Sequence, residues 1–276
     1  MSRFTRKMQL LAGATALVWL ALGAAAFAQQ KSIPDFSSNQ AAWQTPNGGE
    51  FIAVEGSPAP LHQDPAHPFV GNGQGRQPTY RIADLSNASN LKQWAKDVMK
   101  KDNDEVLAGK IAYTARQSCK PGGVPGFSLF GGPFYFLQTP KEVTILFEGN
   151  QEVRHVYLDV PHSVDVKPSW YGESVGHYEG DTLVVDTIGL NTQNPVDNYR
   201  TPHTAKLHVV ERYKLTGEGK QLELLMTIDD PDTYNQSWQA IRRYRQVKAT
   251  MAEEICAEGN FLLFDYGVPV ANKPDF

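Results

Sequence analysis

The feature that most constrains the fold is a two-residue hydrophobic period that begins after Pro140. Apolar and polar residues alternate in short runs, which turn residues such as Gly149-Asn150 and Gly217-Glu218-Gly219 separate. Such alternation is typical of strands with one buried face, and short connections join antiparallel neighbours. The predicted strands are Glu142–Phe147, Val153–Asp159, Glu173–Tyr178, Thr182–Ile188, Lys206–Leu215, Gln221–Asp229, Ser237–Val247 and Glu253–Cys256.

About eight strands with no helix between them predict a mainly β domain, built as an up-and-down antiparallel barrel or a strongly curled sheet. A barrel of about eight strands is just wide enough to hold one small ligand. A two-sheet sandwich is the architectural alternative. The chain has 276 residues, of which 41% are hydrophobic, so it has ample material for a core.

Residues 1–28 have the pattern of a signal peptide. Basic residues within the first seven precede an uncharged run over residues 8–25, and Ala26-Phe27-Ala28 forms a small-x-small cleavage motif before Gln29. An uncleaved membrane anchor is the alternative, because the uncharged run approaches the length of a membrane span. We therefore expect a periplasmic or secreted protein that does not contact the membrane after cleavage.

The charge balance argues against polyanionic partners. Removal of the signal segment takes away Arg3, Arg6 and Lys7 and no acidic residue, so the net charge changes from −4 to −7. An acidic protein with scattered basic residues is poorly suited to a phosphate backbone or an anionic membrane surface. A small-molecule ligand is the partner that we expect.

Two segments precede the predicted strands. Residues 29–89 form a Pro- and Gly-rich arm, with a short strand expected at Glu50–Glu55. The spacing of apolar residues over Asn90–Leu107 predicts a helix, and Asn90 with Gln93 resembles a capping box. This helix leads a single β domain that spans residues 90–276.

The chain has two cysteines, and the first of them opens an aromatic segment. Cys119 and Cys256 both lie in the exported part, where an isolated pair most often forms a disulfide. The segment Cys119–Pro140 is rich in Gly, Pro and aromatic residues. It is expected to fold over an apolar cavity as a rim, or to fill the core with its rings.

Alternation also predicts which side chains point inward. In the strand that begins at Lys206, Glu211 and Tyr213 fall on the more apolar face, and Trp238 and Arg242 do so in the strand that begins at Ser237. A buried carboxylate and a buried guanidinium need partners. One interpretation is a Glu211–Arg242 ion pair, and the other is a polar end to a ligand cavity, where Arg242 recognises an anionic or carbonyl group.

The stretch Ser169–Asn191 carries the densest polar cluster and is predicted to form a hairpin around Gly180, which can take the positive φ of a tight turn. His177 and Tyr178 point to opposite faces of its first strand. Asp186, in its second strand, is expected to be partly buried.

Histidines in loops suggest acid–base chemistry. His162 and His203 follow prolines near strand ends, and our hypothesis pairs one of them with Asp186 or Glu211. A metal site from His162, His177 and His203 has no recognisable ligand spacing, so no metal and no cofactor are expected. Trp170 is a candidate stacking platform. The predicted catalytic residues are His203, His162, Glu211 and Asp186, and the predicted ligand contacts are Arg242, Trp170, Tyr178, His177, Tyr213 and Trp238.

The run SWYGESVGHYEGDTLVVDTIGLN, followed by TPHTAKLHVVERY and TIDDP, resembles a group of exported, uncharacterised bacterial proteins with this pattern. The likeness extends from the helix near Asn90 to the end of the chain. It implies export and a β-rich fold, and it carries over no catalytic residue. The likeness to lipocalin-type barrels is one of architecture only.

From these residues we expect an exported enzyme that uses a barrel cavity and His–carboxylate proton transfer. The reaction would be that of a hydrolase, or of a lyase or isomerase, on an apolar, aromatic or glycosidic compound. A non-catalytic carrier of a small apolar ligand is the alternative. A third interpretation is an envelope module that binds another protein through the aromatic loop and therefore exposes it.

Overall fold

The computed structural model describes residues 33–37, 41–46, 50–70, 81–110, 119–129 and 132–255. These residues form one continuous sheet and one α-helix, α1 (Gln93–Leu107). The strands of the sheet are β1 (Ala41–Gln44), β2 (Ile52–Ala53), β3 (Phe134–Gln138), β4 (Glu142–Phe147), β5 (Glu152–Leu158), β6 (Glu173–Glu179), β7 (Thr182–Ile188), β8 (His208–Thr216), β9 (Gln221–Asp229) and β10 (Trp238–Lys248).

The sheet closes into a nine-stranded barrel in the order β1-β3-β4-β5-β6-β7-β8-β9-β10. Closure comes from β1, which pairs with β10 on one side and with β3 on the other. The short strand β2 pairs with the first half of β10 and lies outside the ring. The prediction of a mainly β, barrel-like fold is therefore confirmed.

One pair departs from an up-and-down barrel, because β5 and β6 run parallel whereas the other pairs are antiparallel. The connection over residues 159–172 must therefore return along the barrel before β6 begins. Hairpins join β6 to β7 and β8 to β9 at one end. The longer connections 189–207 and 230–237 follow β7 and β9 at the opposite end, which we call the loop end.

Most of the strands predicted after Pro140 are confirmed within two residues, but one of them is not seen in the described residues, and two observed strands were not predicted. Residues 253–255 are not in a strand, and Cys256 lies outside the described residues. β3 lies within the segment that was predicted to be an aromatic loop, and β1 lies in the predicted arm. Both are short strands next to Gly- or Pro-rich sequence, where a period of two residues is hard to recognise.

Helix α1 begins at Gln93, three residues later than expected, with Lys92 at its N-cap. Asn90 does not cap it, because its side chain exchanges two hydrogen bonds with the main chain of Gln236. The helix buries Ala95, Met99 and Asn103. In the described part of the chain, no helix is long and apolar enough to cross a membrane.

The predicted inner faces are confirmed. Glu211 and Tyr213 of β8, and Trp238 and Arg242 of β10, are all buried. A buried 3-10 turn, Gly126–Leu129, lies against them from the loop before β3. The main-chain carbonyl of Ser128 accepts hydrogen bonds from Arg242 Nε at 3.2 Å and from the Tyr244 hydroxyl at 2.8 Å. The loop therefore packs into the core.

Candidate functional site

A buried ionic network inside the barrel connects β5 to β8. Arg154 and Glu211 form a two-pronged ion pair, with Arg154 Nη1 donating to Glu211 Oε1 at 3.0 Å and Nη2 contacting Oε2. Their side chains are 2% and 0% exposed. Arg154 also donates to Thr187 Oγ1 at 2.9 Å, and the Tyr213 hydroxyl donates to Glu211 at 2.7 Å. Burial opposes the charge of Arg154, but Glu211 more than offsets it and raises the guanidinium pKa.

Arg154 therefore takes the place that the sequence interpretation gave to Arg242. Each face of β5 mixes polar and apolar residues: Val156 and Leu158 share the buried face with Glu152 and Arg154. Hydrophobic alternation alone therefore does not decide which face of this strand points inward. One feature of the sequence does point to Arg154. The predicted burial of Glu211 requires a buried cation on another strand, and a strand with only apolar residues cannot supply it.

Arg242 has no carboxylate partner within the described residues. It donates to the carbonyl of Ser128 and to that of Glu50, and its Nη2 atom makes no hydrogen bond there. The guanidinium also lies 5.7 Å from the centre of the Tyr244 ring. These contacts tie the 3-10 turn and the segment before β2 to the inner face of β10.

A second polar cluster lies on the outer face of β6, β7 and β8. Asp186 Oδ1 contacts His162 Nε2 at 2.8 Å and His208 Nε2 at 3.0 Å. The other ring nitrogen of His162 contacts Glu173 at 3.0 Å, and Ser163 donates to Glu173 through both its main-chain N–H and its hydroxyl. We call His162, Glu173, Asp186 and His208 the outer cluster.

In the outer cluster, the contacts between histidine and carboxylate side chains shift the pKa values of both partners in the direction that favours their charged forms. The hydrogen bonds from His208 and His162 lower the pKa of Asp186 against the effect of burial. In return, the hydrogen bond to Asp186 raises the pKa of His208. The structure thus brings together His162 and Asp186, two of the predicted catalytic residues.

His203, the other predicted catalytic histidine, lies elsewhere. It is buried in the connection between β7 and β8, where Nδ1 contacts the carbonyl of Thr204 at 2.8 Å. Burial lowers its pKa, although the carbonyl of Thr204 and the charge of Asp230 oppose this. Its hydrogen bonds within the described residues do not involve Asp186 or Glu211.

The predicted ligand contacts are dispersed over the barrel. His177 is exposed and contacts Glu179 at 3.0 Å, and the Tyr178 hydroxyl accepts a hydrogen bond from Gln138 at 2.9 Å. Trp170 is half-buried before β6. Tyr213 belongs to the ionic network, and Trp238 lines a cavity at the loop end.

This cavity has a volume of about 120 Å³. It is bounded by the segment after β2, the residues before α1 and the two long connections of the loop end, and it was not predicted from the sequence. Apolar side chains form much of its wall: Pro58, Ala59, Pro60, Leu61, Ala88 and Leu91. Its other lining residues are His62, Asp84, Asn87, Ser89, Asn90, Asp197, Thr201, Tyr234 and Trp238.

Buried Asp197, Tyr234 and Trp238 are among the residues that line the cavity. Asp197 accepts hydrogen bonds from the Thr201 hydroxyl at 2.6 Å and from the main-chain N–H groups of Tyr199 and Thr201. Burial raises the pKa of Asp197, and these hydrogen bonds oppose the rise. Tyr234 and Trp238 pack edge to face, and the indole of Trp238 interacts with the Tyr234 hydroxyl. Both polar atoms are sealed from solvent.

A second cavity lies between β4, β5 and residues 251–253, and its lining includes exposed Met251. Neither cavity is lined by a residue of the outer cluster. Among the described residues, no three His, Cys, Asp or Glu side chains are placed to hold a metal ion.

No protein-family model, curated protein or solved structure matches the chain. The resemblance to exported bacterial proteins stays a prediction, as does the disulfide, because Cys256 lies outside the described residues. A functional assignment for this chain therefore depends on the geometry of its own side chains.

Proposed function

We propose that this chain is an exported, non-catalytic binding protein for a small, mostly apolar molecule, which it holds in the loop-end cavity. The observation that supports the proposal is the cavity itself, which has a volume of about 120 Å³ and a partly apolar wall that includes Pro58, Pro60, Leu61, Ala88 and Leu91. Burial of apolar ligand surface against such a wall is favourable by about 25 cal/mol per Å².

The size of the cavity limits the ligand. Apolar cavities of about 150 Å³ bind benzene, so about 120 Å³ suits one ring or a branched chain of similar bulk. The barrel interior is less suitable, because the 3-10 turn Gly126–Leu129 and the Arg154–Glu211 network occupy its core. The ligand site thus belongs to the loop end.

Titration with benzene, followed by ligand-observed NMR, tests this proposal. Ala59 is exposed and lines the cavity, so Ala59→Trp should obstruct it and weaken benzene binding about tenfold or more. Ala53→Trp is the matched control, since Ala53 is exposed in the same segment but does not line the cavity. Equal benzene affinity in both variants, or no binding to the wild type, would contradict the proposal.

A second candidate function is proton transfer by the outer cluster, as in a hydrolase, lyase or isomerase. The 2.8 Å contact between His162 Nε2 and Asp186 favours it. However, the second nitrogen of His162 is held by Glu173, so neither nitrogen is free for a substrate. This arrangement suits a charged surface cluster better than a general base, and we therefore rank catalysis second.

The catalytic alternative can be tested with p-nitrophenyl acetate and p-nitrophenyl glucoside as substrates. General acid–base catalysis by His162 would make His162→Gln about 10²- to 10⁴-fold slower than the wild type, whereas His177→Gln would keep the wild-type rate. A binding protein gives no turnover above background in any of the three proteins.

The third interpretation, an interaction module with an exposed aromatic loop, is less well supported by the described residues, where Tyr135 is half-buried and the phenylalanines are not exposed. Phe127, Phe134 and Phe136 are all buried in the core cluster. The rings of this segment that the structure describes are therefore used for packing within the chain.

A further inference from the structure

We propose that the ligand of the loop-end cavity is a small quaternary ammonium ion, in which alkyl groups cover a positive charge. This inference rests on the proposed function, which requires only that the cavity binds a small, mostly apolar molecule. It adds the charge of that molecule and names Asp84 as the residue that selects it.

The charged groups around the cavity are mainly acidic. Asp84 and Asp197 line it, whereas none of the described residues in its wall is Lys or Arg. Hydrogen bonds from Ser86 lower the pKa of Asp84, so this carboxylate is ionised at neutral pH. Burial raises the pKa of Asp197, and for this reason Asp84 is the residue to test. A cleft whose charged groups are carboxylates favours a cation over an anion.

The Asp84 carboxylate offers its charge but few free lone pairs. Its Oδ1 atom accepts hydrogen bonds from the main-chain N–H of Ser86 at 2.9 Å and from the Ser86 hydroxyl at 2.6 Å. Its Oδ2 atom accepts one from Asn87 at 3.1 Å, and His62 Nε2 lies 3.4 Å away. A primary ammonium ligand has three N–H donors, which would compete for these atoms or be buried without acceptors. A quaternary ammonium ion has no N–H group, so it gains from the charge without needing an acceptor.

The rest of the wall suits the methyl groups of such an ion. It includes the apolar side chains of Pro58, Leu61 and Leu91. It also includes the aromatic side chains of Tyr234 and Trp238, whose ring planes are 63° apart. Aromatic rings attract cations, and quaternary ammonium ions are typical ligands of sites built from such rings. A neutral molecule of the same shape would gain the apolar contacts but not the attraction to charge.

Four probes of similar shape separate these possibilities: tetramethylammonium, tert-butanol, tert-butylammonium and pivalate. They are titrated at low ionic strength, where charges are weakly screened, and at about pH 8, where most histidine side chains are neutral. We expect the wild type to bind tetramethylammonium about tenfold more tightly than tert-butanol, and also more tightly than tert-butylammonium. Pivalate should bind most weakly, because it meets like charge.

The variant Asp84→Asn tests the selecting residue, because it removes the charge and keeps a side-chain oxygen that can accept from Ser86. It should lower the ratio of tetramethylammonium to tert-butanol affinity by about threefold or more. Asp104→Asn is the matched control, since it removes the same charge from an exposed residue of α1 that does not line the cavity. It should leave the ratio unchanged. Benzene binding shows in each variant that the cavity is intact.

The outcomes separate the two proposals. If tetramethylammonium and tert-butanol bind equally, or if Asp84→Asn changes their ratio no more than Asp104→Asn does, the charge inference is wrong while the binding function stands. Tightest binding of tert-butylammonium or pivalate would also overturn the inference, as would binding of benzene without binding of any of the four probes. If neither benzene nor any of the four probes binds to the wild type, both proposals fail.

Discussion

At the scale of single residues, the ion pairs of this chain differ most in how far their side chains are exposed to water. Arg154 and Glu211 are sealed in the core, whereas a pair such as Arg243 and Glu223 lies on the surface at a similar separation, with a contact of 2.9 Å. A buried charge that loses its partner cannot turn to solvent, but an exposed one can. Substitution of one partner should therefore lower the free energy of unfolding much more in the buried pair than in the exposed pair.

We expect Glu211→Gln to lower the free energy of unfolding by about 3–5 kcal/mol, because it leaves the Arg154 charge buried without a counterion. Urea denaturation at neutral pH measures the loss. The control Glu223→Gln should cost no more than about 1 kcal/mol. Similar losses in both variants would show that the barrel interior is far more hydrated than the burial of Arg154 indicates.

The outer cluster predicts a pH dependence of stability. Asp186 raises the pKa of His208 above its ordinary value of 6.5 in the folded chain, so folding favours the protonated form. This contribution is complete below pH 6.5 and is lost as the pH rises through the higher pKa of the folded state. Partial exposure limits it to about 1 kcal/mol or less.

Thermal unfolding of the wild type and His208→Gln across about pH 5.5 to 8.5 tests this sign. The advantage of the wild type over the variant should be largest at the acid end and should shrink towards the alkaline end. His177→Gln, on the same outer surface, is the control. An advantage that grows with pH would contradict the assigned His208–Asp186 contact.

At the scale of elements, the parallel β5–β6 pair depends on the way the chain enters β6. Gly172 lies just before this strand, with φ at +61°, and a Cβ atom there would lie 2.3 Å from the carbonyl oxygen of Ile188. The structure shows that the contact is with the last residue of β7.

Gly172→Ala should therefore be more destabilising than another Gly→Ala change at positive φ. Gly56 is the matched control, because its φ is +77° and no atom lies within 4 Å of the added Cβ. We expect Gly56→Ala to cost about 1 kcal/mol from the backbone conformation, and Gly172→Ala about 1–3 kcal/mol more from overlap. Chemical denaturation compares them, and equal losses would exclude the steric explanation.

At the scale of the whole molecule, the barrel is completed by a strand from the predicted arm. Trp43 of β1 pairs with Gln246 of β10 and with Phe134 of β3, so the N-terminal segment seals the seam between them. The arm is thus part of the fold. A processed N-terminus that leaves β1 intact is compatible with this closure.

We expect the chain recovered from the periplasm to begin at Gln29, because Ala26-Phe27-Ala28 provides the cleavage motif. Intact-mass and N-terminal peptide measurements test this. Ala28→Lys should block cleavage and retain the longer chain, whereas Phe27→Lys changes the unrestricted middle position of the motif and should still be cleaved. A wild-type chain that keeps residues 1–28 would favour the membrane-anchor alternative.

The sequence alone determined the period of the strands and the inner faces of β8 and β10, because alternation is a local property of neighbouring residues. It did not determine that Glu211 pairs with Arg154, 57 residues earlier, since that contact exists only when the sheet closes. The same holds for the seam at β1 and for the loop-end cavity, whose walls come from distant segments. Tertiary structure decided these features because pairing and enclosure depend on which surfaces meet in space.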